Sequence, residues 1–369
     1  MPTPNEPDFV AIITGGTVFD NWSSYDIDSD LLTPADRWSV TLGMDAGSRV
    51  PPEITAGGDC VVRMTKEAVM RGVIDEVSHD VGRPAPSLSM SGRDGAAVLV
   101  DCSAPIFTAK EMTLDDVVKQ IVRPLGIVFV DILADATQRR EKVAIDPGIT
   151  AWDALQQAAE ANGLWPWFTP EGRLVIGGPD YSVDPVDTLV MRVDGQGNNL
   201  ISLSHQVSMP GRYSEITVLG QGHGTATQLG KHNIKAAAKD SGITRYRPRI
   251  VCEGDVETTD AAQARARKLV ADGRLNGLTL SAVVAGHRTA SGALWTPGQR
   301  VRVQSEPHGI DDVFFLMARK FTGGRGRQTL TTLTLKEDGV WVLDARKKHR
   351  RKKKVGSKAK LTPVVWDVK

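Results

Sequence analysis

Cysteine is scarce in this chain: three in 369 residues, at Cys60, Cys102 and Cys252, far apart and odd in number. That count argues against a disulfide framework or a CxxC-type zinc site and fits free thiols in a reducing compartment. No apolar run approaches the roughly 18 residues that a membrane span requires. The first eight residues hold Glu6 and Asp8 and no base, so they do not read as a signal peptide. No two of the seven histidines stand four apart, and HExxH is missing. The serine-hydrolase elbow GxSxG and the dinucleotide fingerprint GxGxxG are missing too. These gaps point away from metal, cofactor and hydrolase chemistry, and the chain is expected to be non-enzymatic, with no cofactor.

With 41% hydrophobic and 24% charged residues, the chain can bury a core and should fold as two or three domains. The formal charge of +1 hides an asymmetry. Ten of the 45 Lys and Arg lie between Arg346 and Lys360 with no acid among them, leaving 35 bases against 44 acids elsewhere, a balance of −9. An acidic body is a poor binder of phosphates.

Short apolar alternations fill the first hundred residues: Phe9–Ile13, Arg37–Leu42, Cys60–Met64, Ala68–Val77 and Ser87–Ser91, punctuated by Gly, Pro, Asp and Ser. Then the period changes. Thr113-Leu-Asp-Asp116 is a capping-box variant ahead of a helical stripe from Leu114 to Leu125, ended by Pro124 and Gly126. A second helix runs from Thr150 through Trp152, Leu155 and Ala159 to a stop at Gly163. Trp165–Phe168 and Arg173–Ile176 flank a turn at Pro170-Glu171-Gly172, forming a hairpin. Strands return at Leu200–Val207 and Ser214–Leu219. A polar segment from Gly220 to Pro248 reads as a long loop, and Asp260–Ala271 as a helix stopped by Gly273. Four strands follow: Thr279–Val284, Arg300–Gln304, Val313–Arg319 and Gln328–Lys336. The expected fold is mainly β with an α+β insertion. A first small β-barrel spans 1–103 and the insertion 104–185. A second, similar barrel spans 186–345, with the loop and helix at about 220–273, and a basic tail spans 346–369.

Several segments invite a chemical reading. Gly220-Gln-Gly-His-Gly224 follows a strand, but its spacing is that of a flexible turn. Asp75 with Glu76, and Asp311 with Asp312, are adjacent carboxylates of the kind a glycosidase pairs, yet neighbours on a strand face opposite ways. Gly323-Gly-Arg-Gly-Arg327 lies between strands and reads as a hairpin loop. Trp165, Trp167 and Phe168 could form a sugar platform, although burial in the insertion is the simpler account. The basic run Arg346, Lys347, Lys348, Arg350, Arg351, Lys352, Lys353 and Lys354 is the strongest charge signal. It leaves open a solvated tail, docking on an acidic neighbour, or DNA contact. Val364-Val365-Trp366 beyond it could anchor on a neighbour.

Three stretches, in order, carry a resemblance. Ser89-Met-Ser-Gly-Arg-Asp-Gly-Ala-Ala-Val-Leu-Val-Asp-Cys-Ser-Ala104 is followed by the Ala151–Leu155 helix with its Glu171–Ile176 hairpin, then by Trp295-Thr-Pro-Gly-Gln-Arg-Val-Arg-Val303. Together they resemble the baseplate hub proteins of Mu-like phages. Those proteins belong to a wider group that includes the late-control D proteins of P2-like phages and the N-terminal part of VgrG spikes in type VI secretion. The resemblance implies a homotrimer whose two barrels per subunit form a pseudo-sixfold ring. Such a ring caps the tail tube of a contractile tail, carries the central spike and forms a DNA exit channel. The implied partners are further copies, the tail tube protein, the spike protein and other baseplate proteins, with DNA passing unbound and no membrane insertion. The implied location is the virion baseplate, after assembly in the host cytoplasm. A peptidoglycan hydrolase or a carbohydrate-binding adhesion module remains the alternative.

Overall fold

The computed structural model describes residues 8–341, apart from 46, 83–84, 134–139, 145–146, 161–162, 223–230, 254–255 and 257. The protein is mainly β. Seven strands open it: β1 (Val10–Thr14), β2 (Thr17–Phe19), β3 (Ser24–Asp30), β4 (Arg37–Gly43), β5 (Asp59–Met64), β6 (Glu67–Asp80) and β7 (Ser87–Asp94). Alternation builds them. Leu88, Met90, Gly92 and Asp94 of β7 are buried at every second position, as are Cys60, Val62 and Met64 of β5. Between Ile74 and Glu76 the β6–β7 register shifts, so Asp75 is the extra residue of a bulge.

After α1 (Ala97–Asp101) comes the helix-containing module: β8 (Thr108–Met112), α2 (Leu114–Val122), β9 (Val130–Ile132), β10 (Arg140–Ala144), α3 (Ala151–Glu160), β11 (Trp165–Phe168) and β12 (Leu174–Gly177). The capping box forms. Thr113 Oγ1 accepts from Asp116 N at 3.2 Å, and Asp116 Oδ2 accepts from Thr113 N at 3.1 Å. Pro124 sits in a single 3-10 turn, and Gly126 at φ 82° ends it. Val118 and Ile121 of α2 share a core with Trp152, Leu155 and Ala159 of α3. β11 and β12 pair as the expected hairpin, and β9 joins β12 in parallel.

The remaining elements are β13 (Thr188–Met191), β14 (Leu200–Val207), β15 (Glu215–Gly222), β16 (Lys231–Lys239), β17 (Pro248–Glu253), α4 (Thr259–Gly277), β18 (Leu278–Ala285), β19 (Arg300–Ser305), β20 (Ile310–Gly324) and β21 (Arg327–Glu337). The chain divides into two compact units. One holds the described residues up to Leu203 with Ser281–Leu335; the other holds Ser204–Leu280 and the strand end from Lys336.

The first unit is organised on a thirteen-stranded sheet. Its order is β14-β18-β21-β20-β3-β4-β7-β6-β5-β1-β2, with β19 on β20 and β13 on β19. The two β regions that the sequence suggests as separate barrels share this sheet. They meet at β3 and β20, where Phe321 lies opposite Ile27, both fully buried. Among the described residues no pair closes the path from β14 to β2. β3 escapes a sequence reading because only Tyr25 and Ile27 are buried, while Asp26, Asp28 and Asp30 occupy the alternate positions.

The second unit packs α4 on a sheet ordered β16-β15-β17. Its core joins Val218, Ile234, Ala236 and Val256 to Ala262 and Ala266. Two expectations fail here. The segment from Gly220 is not one long loop: β15 continues to Gly222, and Lys231–Lys239 is a strand. The sequence hides that strand because its buried positions include a single large apolar residue, Ile234, and then Ala236. Nor does Gly273 stop the helix, which runs on to Gly277. Both glycines are places of close approach. A Cβ on Gly273 would lie 3.0 Å from Gly211 O, and one on Gly277 would lie 2.3 Å from Arg212 Cδ.

Candidate functional site

The motif at the end of β7 ties several elements together. Gly92 lies opposite Trp38 of β4, whose indole is fully buried. A Cβ there would sit 2.7 Å from the indole and 2.1 Å from Val73 O, so only glycine fits. Arg93 forks to two carboxylates: Nε to Asp75 Oδ2 at 2.7 Å and Nη2 to Asp101 Oδ2 at 2.7 Å. Asp75, the bulge residue of β6, is thus tied through Arg93 to α1, and Arg93 holds the Asp101 carboxyl below its ordinary range. Asp94 turns inward, 6% exposed, and accepts from Ala96 N at 2.9 Å. A Cβ on Gly95 would meet Phe168 at 2.7 Å. Four consecutive residues therefore bind together two strands, a helix and the β11–β12 hairpin.

Beside this motif lies a cavity of about 210 Å³ walled by Asp36, Asp94, Arg319, Trp152, Trp167 and Phe168. Asp36 accepts from Asp30 N at 2.9 Å and from Ser29 Oγ. Burial pushes its carboxyl up to about 6, and burial with the nearby Asp36 charge raises Asp94 further above the ordinary range. Arg319, 4% exposed, lies 4.0 Å over the Phe321 ring and donates to Ile27 O at 3.4 Å. Burial pulls its guanidinium down to about 10, against the pull of Asp36 and Asp28. The arrangement sets two buried carboxyls, whose charges disfavour one another, near a buried guanidinium. Its known bonds all anchor the protein's own backbone and hydroxyl groups. Neither Asp36 nor Arg319 stands out in the sequence, and Asp94 does so only as part of the motif; Asp36 and Asp94 are 58 positions apart and meet through the β4–β7 pairing.

The residues that the sequence does single out are dispersed. Asp311 pairs with Arg302 at 2.9 Å and Asp312 Oδ1 accepts from Val313 N, so these two acids serve different partners, and Asp75 is held by Arg93. Gly220 and Gly222 belong to β15, where a Cβ on Gly220 would strike Val256 O at 2.1 Å; His223 and Gly224 lie outside the described residues. Arg325 and Gly326 make a two-residue turn between β20 and β21, as a hairpin loop should. Trp165 is buried, and its Nε1 donates to Leu31 O at 2.6 Å; Trp167 and Phe168 are half-buried at the cavity. The basic residues Arg346, Lys347, Lys348, Arg350, Arg351, Lys352, Lys353 and Lys354, and Val364-Val365-Trp366, lie outside the described residues.

The three thiols are free, and burial pushes Cys60 up to about 12. His287 is enclosed, with Nε2 2.9 Å from Tyr25 Oη and Nδ1 2.9 Å from Thr331 Oγ1. Thr331 Oγ1 donates to Gly286 O, so it accepts from Nδ1–H, and Nε2 accepts from the tyrosine. Burial lowers this imidazole to about 4. Among the described residues no three His, Cys, Asp or Glu converge on a metal-sized space, and no helix is long and apolar enough to cross a membrane.

Four family models match in succession. Residues 9–94 match the N-terminal domain of Mu phage baseplate assembly protein GpP-like proteins, and residues 96–178 the second domain of baseplate hub protein gp44-like proteins. Residues 212–270 match the third domain of NMB1110-like tail proteins, and residues 272–340 a tail protein C-terminal domain. The chain is 40% identical to the tail protein of Neisseria meningitidis MC58, covering 92% of this chain and 99% of that one, with a TM-score of 0.82. The 43 kDa tail protein of prophage MuSo2 from Shewanella oneidensis shares the fold at 22% identity, covering 90% and 99% of the two chains, with a TM-score of 0.80. Baseplate hub protein gp44 of Escherichia phage Mu is 24% identical over 360 residues, 93% of this chain and 92% of that protein.

Proposed function

The chain belongs to the tail-protein family of Mu-like phage baseplate hubs, and from that premise we propose that it is the non-enzymatic, trimeric hub of a contractile tail. In this reading its two β regions act as matched modules. Three subunits then present six such modules around an axis, meeting a sixfold tube on one side and a threefold spike on the other. The helix-containing module, residues 104–185, is an insertion between the two β regions, which are those of residues 1–103 and 186–345. DNA leaves through the centre, past a body whose excess of acid repels phosphates. The subunit is made in the host cytoplasm and ends in the virion baseplate.

The observation that carries this reading is the join of β3 to β20, which gives each subunit one sheet with ends at β14 and β2. Ile201 and Val207 on β14 and Val18 on β2 are at least half exposed. Edges of that kind are closed by neighbours in assemblies. Light scattering tests the trimer. A mass near three times 39.8 kDa is expected, and a monomer at every concentration tried would refute it.

The basic tail, Arg346 to Lys354, docks on an acidic face of a neighbouring subunit or of the spike. A chain ending at Asp344 should then assemble and hold the spike less well in low salt. Unchanged assembly and spike binding would remove this role.

A further inference from the structure

The second unit carries a surface that the chain's overall acidity conceals. β17 is the outer strand of its sheet, paired with β15 alone among the described residues. Leading into it and along it run Arg245, Tyr246, Arg247, Pro248, Arg249 and Ile250. Arg245 and Arg249 are exposed, Tyr246 is 76% exposed and Ile250 66%. Arg247 and Arg249 both stack over the ring of Tyr213, at 5.9 and 5.1 Å.

Several other cations of the unit sit on acids. Arg212 pairs with Asp240, Arg265 with Glu253, Lys268 with Asp272, and Arg274 with Glu337. Arg245, Arg247 and Arg249 have no carboxylate within 4.0 Å among the described residues. Charge is segregated to match. Residues 204–280 hold eleven Lys and Arg against seven Asp and Glu, a balance of +4. The rest of the chain, with the ten bases of Arg346–Lys360 set aside, holds 24 bases against 37 acids, a balance of −13.

Guanidinium groups laid on an aromatic face are already oriented and weakly hydrated, so they lose little on meeting a carboxylate. Arginine and tyrosine around an exposed aliphatic residue are the composition of a protein-interface centre. A phosphate lattice has no use for Ile250. Pro248 lacks an N–H at the start of β17, which favours side-chain docking over extension of the sheet.

We propose that this arginine–tyrosine face docks on the acidic surface of a second copy of the chain, a contact within the hub assembly and resting on that reading. The strongly acidic remainder of each subunit supplies the complementary charge, and subunit association should accelerate at low salt.

The test compares the wild-type chain with R245E/R247E/R249E and with Y246S/I250S, all at exposed or half-exposed positions, by sedimentation over a concentration series. Thermal melts establish that each variant is folded. Both variants should assemble more weakly than wild type, the charge-reversed one by roughly a hundredfold or more in dissociation constant. Variants that assemble like wild type overturn the inference and leave the hub reading standing. A wild type that never self-associates overturns both. If assembly is unchanged but the arginine variant alone loses binding to a short DNA duplex at physiological salt, the face reads nucleic acid and the inference falls.

Discussion

Replacing Gly92 by alanine adds one methyl group at a place walled on two sides. The new Cβ would lie 2.1 Å from the carbonyl oxygen of Val73 and 2.7 Å from the indole of Trp38. Neither wall yields easily. The carbonyl belongs to β6, which pairs with β7 from Gly72 to Asp80, and Trp38 is fully buried. Overpacking of a closed core costs about 1–3 kcal/mol, and two unyielding walls place this case near the top, at about 3 kcal/mol. For a unit of this size that lowers the melting temperature by roughly 6–12 °C. Gly82→Ala is the control, since its Cβ would meet nothing within 4 Å; its effect should stay within about 0.5 kcal/mol. Combining Gly92→Ala with Trp38→Leu should cost less than the two changes separately, because the smaller side chain frees one wall. Thermal unfolding followed by tryptophan fluorescence, checked by urea titration, measures wild type and the four variants. A Gly92→Ala protein as stable as wild type would refute the close-approach argument.

Other outcomes can be stated more briefly. Arg93→Ala removes a fork to two partly exposed carboxylates and should cost about 1–2 kcal/mol, with Arg93→Lys recovering less than half; equal stability of the lysine variant and wild type in urea would show that the fork geometry is irrelevant. Asp36, raised to about 6, binds its proton more tightly in the folded state, so its contribution to stability falls as pH rises from about 4 through 6, and Asp94 extends that fall upward. His287, lowered to about 4, works in the opposite sense: the unfolded chain takes up that proton first, and stability rises between about pH 4 and 6.5. The two trends oppose each other in the wild type. D36N/D94N keeps acceptors for Asp30 N and Ala96 N and leaves His287 alone, so it should gain roughly 1–3 kcal/mol in unfolding titrations between pH 4 and 7; a profile parallel to wild type would show that the carboxyls do not titrate as a buried pair.

Much of the fold is legible in the sequence wherever burial follows a strict period. The α2 stripe, the Thr113 cap and the Trp165–Ile176 hairpin are read correctly because local chemistry alone decides them. β3 and β16 are not, since they hold few large apolar residues and the rest are mostly Asp, Ser, Lys or Ala. The bulge at Asp75 is equally silent, as it depends on a partner strand. The Asp36, Asp94 and Arg319 cluster is the extreme case. It is assembled by strand register over 283 positions of chain, from Asp36 to Arg319, and no local motif announces it. The arginines near β17 were hidden for a different reason: a charge balance summed over the whole body cancels a basic patch against a larger acidic remainder.

The pairing of β3 with β20 also governs how the protein can be made. A ribosome releases Tyr25 and Ile27 nearly three hundred residues before their partners Gly323 and Phe321. Until then one flank of β3 has no native neighbour, while the helix-containing module, whose buried core comes from residues 96–176, can already settle. Late zippering over such a sequence distance is slow and leaves a sticky strand in the open. Translation arrested before residue 310 should yield an aggregation-prone nascent chain, whereas a chain that includes β20 and β21 seals that flank with their hairpin.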